Sequence, residues 1–236
     1  MSMDTAKSLN GKSTDILHTL DHLGQRIRGR LKPTLVARTV RYGLRRDLAA
    51  PLEHVSAKIP ISSRRMTQAD IDIMLPEDAS ALPPADQLEV KWRRLFLDKA
   101  GIANGFVAVD ERDGSPCYMQ WLFGRTEADI VADLGGFPRF GRDEALLECA
   151  YTPPSHRGLG IMSAAMALFA EHATDFGARY VHTFVGTENI PSLKGCRRAG
   201  FDPHMLHTRR FRLFGLLRDD TFDVMAEDDP RRRWEM

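Results

Sequence analysis

Residues 154–161 read Pro-Ser-His-Arg-Gly-Leu-Gly-Ile, between an apolar run that fits a strand and a small-residue, apolar stretch that fits a helix. A helix start presents backbone N–H groups without intrahelical acceptors and the positive end of the macrodipole, so it can hold a phosphate. Gly158 and Gly160 remove the Cβ atoms that would keep a pyrophosphate off the backbone, and Arg157 adds a charge-assisted donor. Alone the turn is weak evidence, because many strand–helix turns use glycine only for its backbone angles. A second residue with chemical potential precedes it. Glu148 stands between Leu147 and Cys149 in an apolar run, where a carboxylate is costly to bury without a partner or a purpose. Pairing with an arginine is one answer, and general-base work on a nucleophile is the other.

The elements that must position these residues follow from periodicity. Ile16, Leu17, Leu20, Leu23 and Ile27 recur at helical spacing, and Pro33 breaks the pattern. Residues 35–44 fit a strand or a helix equally, and the prolines at 51 and 60 mark a connector. Beyond it come an expected strand over 59–66, a short helix from Thr67 and Asp70, and a helix over 85–99 closed by Gly101. The apolar runs 105–109 and 117–123, joined by an Asp-Gly turn, predict a hairpin. Residues 124–143 read as an insertion with a short helix over 127–134. A strand over 145–152, a helix over 160–176, a strand over 179–185, a helix over 191–199 and a strand over 201–214 complete the order.

In this order Arg157-Gly-Leu-Gly160 resembles the acyl-CoA motif of the GNAT superfamily of N-acyltransferases, Arg/Gln-x-x-Gly-x-Gly/Ala, with Met162 in place of the last small residue. Asn189-Ile-Pro-Ser192, followed by Cys196 and Gly200-Phe201, resembles a second family signature. Ser63-Arg-Arg65 with Asp70 resembles the family's opening strand and helix. The resemblance covers about residues 55–214. It implies an α/β (α+β) fold with a mixed, twisted sheet that splays beside the phosphate turn and is flanked by helices.

The resemblance also assigns roles. Acetyl-CoA or another acyl-CoA would lie with its pantetheine arm along the strand end, on Ala150 and Thr152. Its pyrophosphate would lie on Arg157, Gly158, Leu159, Gly160, Ile161 and Met162. Asn189 and Ser192 would help to hold it, although Asn189 also reads as a helix cap and Ser192 as an ordinary helix serine. An amine would attack the thioester directly, with Glu148 as base. Many members carry a tyrosine as acid seven residues after the asparagine; here that position is Cys196, with Tyr151 as a substitute and core packing as the other reading of the thiol. Gln120 and Trp121 are candidate acceptor contacts, with core packing the other reading of Trp121.

Composition bounds the alternatives. The chain has 236 residues, 43% hydrophobic and 28% charged, enough to bury a core. No apolar run approaches a membrane span and the first ten residues lack a secretory core, so a soluble, cytoplasmic protein is expected. Three dispersed cysteines and histidines without ligand spacing predict reduced thiols and no metal. The expected division is a basic, partly helical extension over 1–50, the acyltransferase domain over 51–214 and a tail over 215–236. Eight arginines and lysines between 24 and 46, with no acidic residue among them, could dock an acyl carrier protein or pair within the fold. The stretch lacks the interleaved aromatics of a nucleic-acid module. The remaining readings are a small-molecule amine as acceptor, or an acyl-CoA-binding regulatory module without turnover. A dimer is compatible with the sequence, which leaves oligomeric state and acceptor open.

Overall fold

A computed structural model describes residues 36–213 and 216–233. The expected helix around residues 16–27 and the basic residues 26–32 lie outside that range.

Eight strands form one mixed sheet in the order β2-β3-β4-β5-β6-β1-β7-β8. They are β1 (Val36–Asp47), β2 (Ile61–Arg65), β3 (Gly105–Asp110), β4 (Pro116–Phe123), β5 (Glu144–Tyr151), β6 (Tyr180–Gly186), β7 (Asp202–Arg212) and β8 (Leu217–Val224). On one face lie α4 (Ile161–Glu171) and α5 (Ile190–Arg198); on the other lie α1 (Gln68–Met74), α2 (Pro84–Ala100) and α3 (Ala128–Leu134). β4 is buried at every residue because both of its faces are covered. Tyr118 and Leu122 pack toward Phe169 and Met166 of α4, and Met119, Trp121 and Phe123 toward Val90 of α2 and Ile71 of α1. Thr67 and Asp70 cap α1 reciprocally, and Arg64 holds the Asp70 carboxylate at 2.6 and 2.8 Å.

The sheet changes character at β5. β5 and β6 are parallel neighbours only from Glu144 to Leu146, opposite Tyr180 to His182, and then lose their pairing. At the base of this opening His182 Nε2 lies 3.0 Å from Glu144 Oε1, and that contact holds the Glu144 carboxyl at about 2. On the other side of β5, Met119 faces Tyr151 while Trp121 faces Glu148, so β5 carries one extra residue there. The bulge is seated at Cys149, which takes φ 62°, a left-handed conformation uncommon outside glycine.

Two expectations about the ends of the chain need correction. The boundary at residue 50 is displaced, because β1 lies inside the sheet, antiparallel to both β6 and β7. Its basic residues find partners there. Arg46 bonds the Ala167 carbonyl at 2.9 Å and pairs with Glu171; Arg41 bonds His207 Nδ1 at 2.9 Å and the Gly136 carbonyl at 2.8 Å; Arg45 lies over the Tyr180 ring. The tail expected over 215–236 contains β8, paired with β7 along its whole length. The helix expected to 176 ends at Glu171 and continues as a tighter turn to Phe176. A fragment starting at residue 51 would leave the facing edges of β6 and β7 unpaired. It should not melt cooperatively in circular dichroism, whereas the whole chain should; a cooperative melt near that of the whole chain would contradict this role for β1.

Candidate functional site

The turn after β5 joins the opening in the sheet to the start of α4. Gly158 and Gly160 take φ 76° and 74°, left-handed values that any side chain would strain. A Cβ on Gly158 would meet nothing within 4 Å, and one on Gly160 only Ala57 Cα and Ser56 O at 3.8 Å. The two glycine positions therefore face open space beside the first-turn N–H groups of α4. Leu159 contributes its carbonyl to Lys58 N–H at 2.8 Å, which ties the connector between β1 and β2 to the turn. Ile161 is buried beneath the turn. The Met162 side chain lies across α5, its sulfur 3.2 Å from where a Gly195 Cβ would stand. Gly195, which has no Cβ, makes room for it.

Backbone groups left over by the opening are taken by side chains. Glu148 Oε1 accepts the N–H of Phe184, on β6 across the gap, at 2.6 Å, and Oε2 lies 3.4 Å from its neighbour Cys149 N. Arg93 of α2 donates Nε to the Ala150 carbonyl at 3.2 Å, pairs with Glu89 and lies 4.8 Å over the Tyr151 ring. Arg157 donates Nε to the Thr152 carbonyl at 3.1 Å, while its two Nη atoms hold the buried Asp86 carboxylate. These contacts raise the Arg157 guanidinium pKa, chiefly through Asp86. Asn189 caps α5, accepting from Ser192 N–H at 3.3 Å, which is the capping geometry.

Four candidates are buried. Trp121 is fully buried, donates Nε1 to the Gly101 carbonyl at 3.0 Å and meets the edge of Phe96 at 5.2 Å. Gln120, on the opposite face of β4, accepts the Tyr118 hydroxyl at 2.7 Å. Neighbours on a strand point to opposite faces, so the two cannot share an acceptor. Cys196 is fully buried, 3.9 Å from Met166 Sδ, and burial pushes its thiol up to about 12. A proton held that tightly is poorly matched to a leaving thiolate. Tyr151 is 4% exposed on the α2 side, and burial raises its hydroxyl pKa. Glu148 stands at the opening, and the two expected acids are buried.

Sequence reasoning missed Asp86, Glu89, Arg93, Tyr118 and Phe184. The spacing of 86, 89 and 93 on one helical face was the available signal for three of them. Tyr118 could have been read from its alternation with Gln120.

The residues from 78 to 201 match the model of the acetyltransferase (GNAT) family. The chain belongs to that family. No curated protein matches it. Solved structures match in fold. An acetyltransferase of the GNAT family from Colwellia psychrerythraea is 13% identical, covering 81% of this chain and 58% of that one, with TM-score 0.46. A GCN5-related N-acetyltransferase from Sphaerobacter thermophilus is 14% identical, covering 75% and 53%, with TM-score 0.49. The glucosamine N-acetyltransferase region of a fungal multi-domain β-N-acetylglucosaminidase is 13% identical, covering 73% and 21%, with TM-score 0.50. The chain spans little more than half the length of the first two. With the family match, the mixed, splayed sheet flanked by helices is the GNAT fold. Among the described residues no helix is long and apolar enough to cross a membrane, and no three His, Cys, Asp or Glu side chains are grouped to hold a metal.

The placement of the thiols is testable. Cys117 and Cys196 are buried with thiol pKa values raised to about 11 and about 12, whereas Cys149 is half-buried at the opening. At pH 8 a water-soluble disulfide reagent should label one thiol per folded chain, at Cys149. Rapid labelling of Cys196 would contradict its place in the core.

Proposed function

We propose that this protein is a cytoplasmic N-acyltransferase that moves an acetyl or longer acyl group from acyl-CoA to the amine of a small molecule by direct attack. The observation that carries the reading is that the glycine turn at the start of α4 and the opening between β5 and β6 lie at the same end of β5. Pyrophosphate on the turn leaves the pantetheine arm within reach of the strand end at Ala150 and Thr152. The thioester would then approach Glu148.

An amine is mostly protonated at neutral pH and needs a base before it can attack. Glu148 serves as that base, directly or through a water, with Oε1 fixed by the Phe184 N–H. The nitrogen lone pair forms the amide bond to the acyl carbon while the carbon–sulfur bond breaks and leaves a thiolate. The first proton passes from Glu148 to solvent before attack; the second, lost from nitrogen as the amide forms, is relayed by Glu148 to the departing sulfur, since Cys196 and Tyr151 are buried. Of the described part of the basic stretch, Arg41, Arg45 and Arg46 are engaged inside the fold and Arg38 is exposed, which favours acyl-CoA over a carrier protein as donor.

Two substitutions test the reading. Gly160→Asp places strain and a negative charge on the turn, and calorimetric titration should show loss of binding to acetyl-CoA, free CoA and a C12 acyl-CoA alike. Glu148→Gln keeps an oxygen for Phe184 N–H, so the melting temperature should change little while kcat falls by about 100-fold or more. A wild-type protein that binds none of the three ligands would contradict the reading. Full turnover by Glu148→Gln would remove Glu148 from the mechanism.

A further inference from the structure

α2 presents Asp86, Glu89 and Arg93 along one face, and that face meets the end of β5 and the turn after it. The contacts repeat a pattern. Glu89 holds Arg93, which takes the Ala150 carbonyl; Asp86 holds Arg157, which takes the Thr152 carbonyl. Both guanidinium groups thus take carbonyls at the strand end, where the pantetheine arm would run.

The Arg157 pair differs from a surface ion pair. The Asp86 side chain is only 8% exposed, and Arg157 reaches both of its oxygens, while the Arg157 side chain is itself 47% exposed at the mouth of the turn. Guanidinium N–H groups lie in one rigid plane, so a fork whose Nε serves Thr152 and whose two Nη atoms serve Asp86 has no paired edge left for a phosphate, only two single N–H donors. The arginine beside the turn is thus directed to Thr152 and Asp86.

We propose that Asp86 sets the affinity of this protein for its cofactor by competing with the cofactor's phosphate for Arg157. The inference rests on the acyl-CoA reading above. When phosphate takes Arg157, Asp86 is left as a buried carboxylate without its cation, a costly state that weakens net binding. Asp86 lies in the first turn of α2, so cofactor binding also loosens the start of the helix that covers the opposite face of the opening. Cofactor binding and movement of α2 are coupled through one residue.

The test is calorimetric titration with CoA, and with a pantetheine thioester that carries no phosphate. Asp86→Asn preserves the shape of the side chain and removes its charge, and it should bind CoA more tightly than wild type by about fivefold or more, fivefold being the upper end for an exposed pair and Asp86 being buried. The phosphate-free thioester should bind both proteins alike. Adding Arg157→Gln should abolish the gain. A rise in affinity cannot come from a damaged fold, and the wild type supplies a second measurement. The nitrogen NMR signal of Arg157 Nε should shift on adding CoA and stay in place on adding the phosphate-free thioester. Equal or weaker CoA binding by a folded Asp86→Asn protein, or an Arg157 signal indifferent to CoA, would overturn the role of Asp86 alone. A wild type that binds no CoA would take the acyl-CoA reading down with it.

Discussion

Backbone N–H and C=O groups in a protein interior must be paired, and where two buried strands part company their ladder can no longer supply partners. β5 and β6 part after Leu146 and His182, in the middle of a sheet covered on both faces. The chain answers with side chains. Glu148 reaches across the gap to Phe184, Arg93 takes the carbonyl of Ala150, and Arg157 takes that of Thr152. The bulge at Cys149 follows from the same demand, since an extra residue turns the strand end away from β6 while Tyr151 still faces Met119. An opening in a sheet with polar groups at its edge is what an extended, amide-containing ligand can enter.

The rest of the fold holds that opening at a fixed width. Below it, Glu144 and His182 clamp the two strands together. Beside it, β1 ties β6 to β7, and Arg46 fastens β1 to the end of α4 through Ala167 and Glu171. The connector from β1 returns along α4 and bonds Leu159 in the turn. It leaves a cleft of about 660 Å³ against α4, lined by Leu52, Val55, Lys58, Ala167 and Leu168 among others, away from the opening. α2 closes the remaining side through two acid–guanidinium pairs. The phosphate turn is therefore supported from both faces of the sheet.

How much of this could be read from the residues depended on how local the cause was. The turn at 154–161, the hairpin around Gly114 and the capping box of Thr67 and Asp70 are set by neighbours in sequence, and each lies where its motif puts it. β1 was ambiguous because arginines occupy positions on both of its faces, and only long-range partners such as His207, Tyr180 and Glu171 make such a strand possible inside a sheet. Glu148 stood out because an apolar strand does not carry a carboxylate without cause; its bond to Phe184 is a cause no local pattern encodes. Cys196 and Trp121 carried two readings, a site and core packing, which their residue types alone could not separate; the layers above and below them make them core.

The central claim is that acyl-CoA occupies the turn and the opening together, and amide hydrogen exchange measured with and without CoA tests it most directly. The account predicts added protection in two segments at once, 149–163 and 184–187, with little change along the cleft between the connector and α4. Protection confined to residues 48–61 and the outer face of α4, or none in the turn, would contradict it.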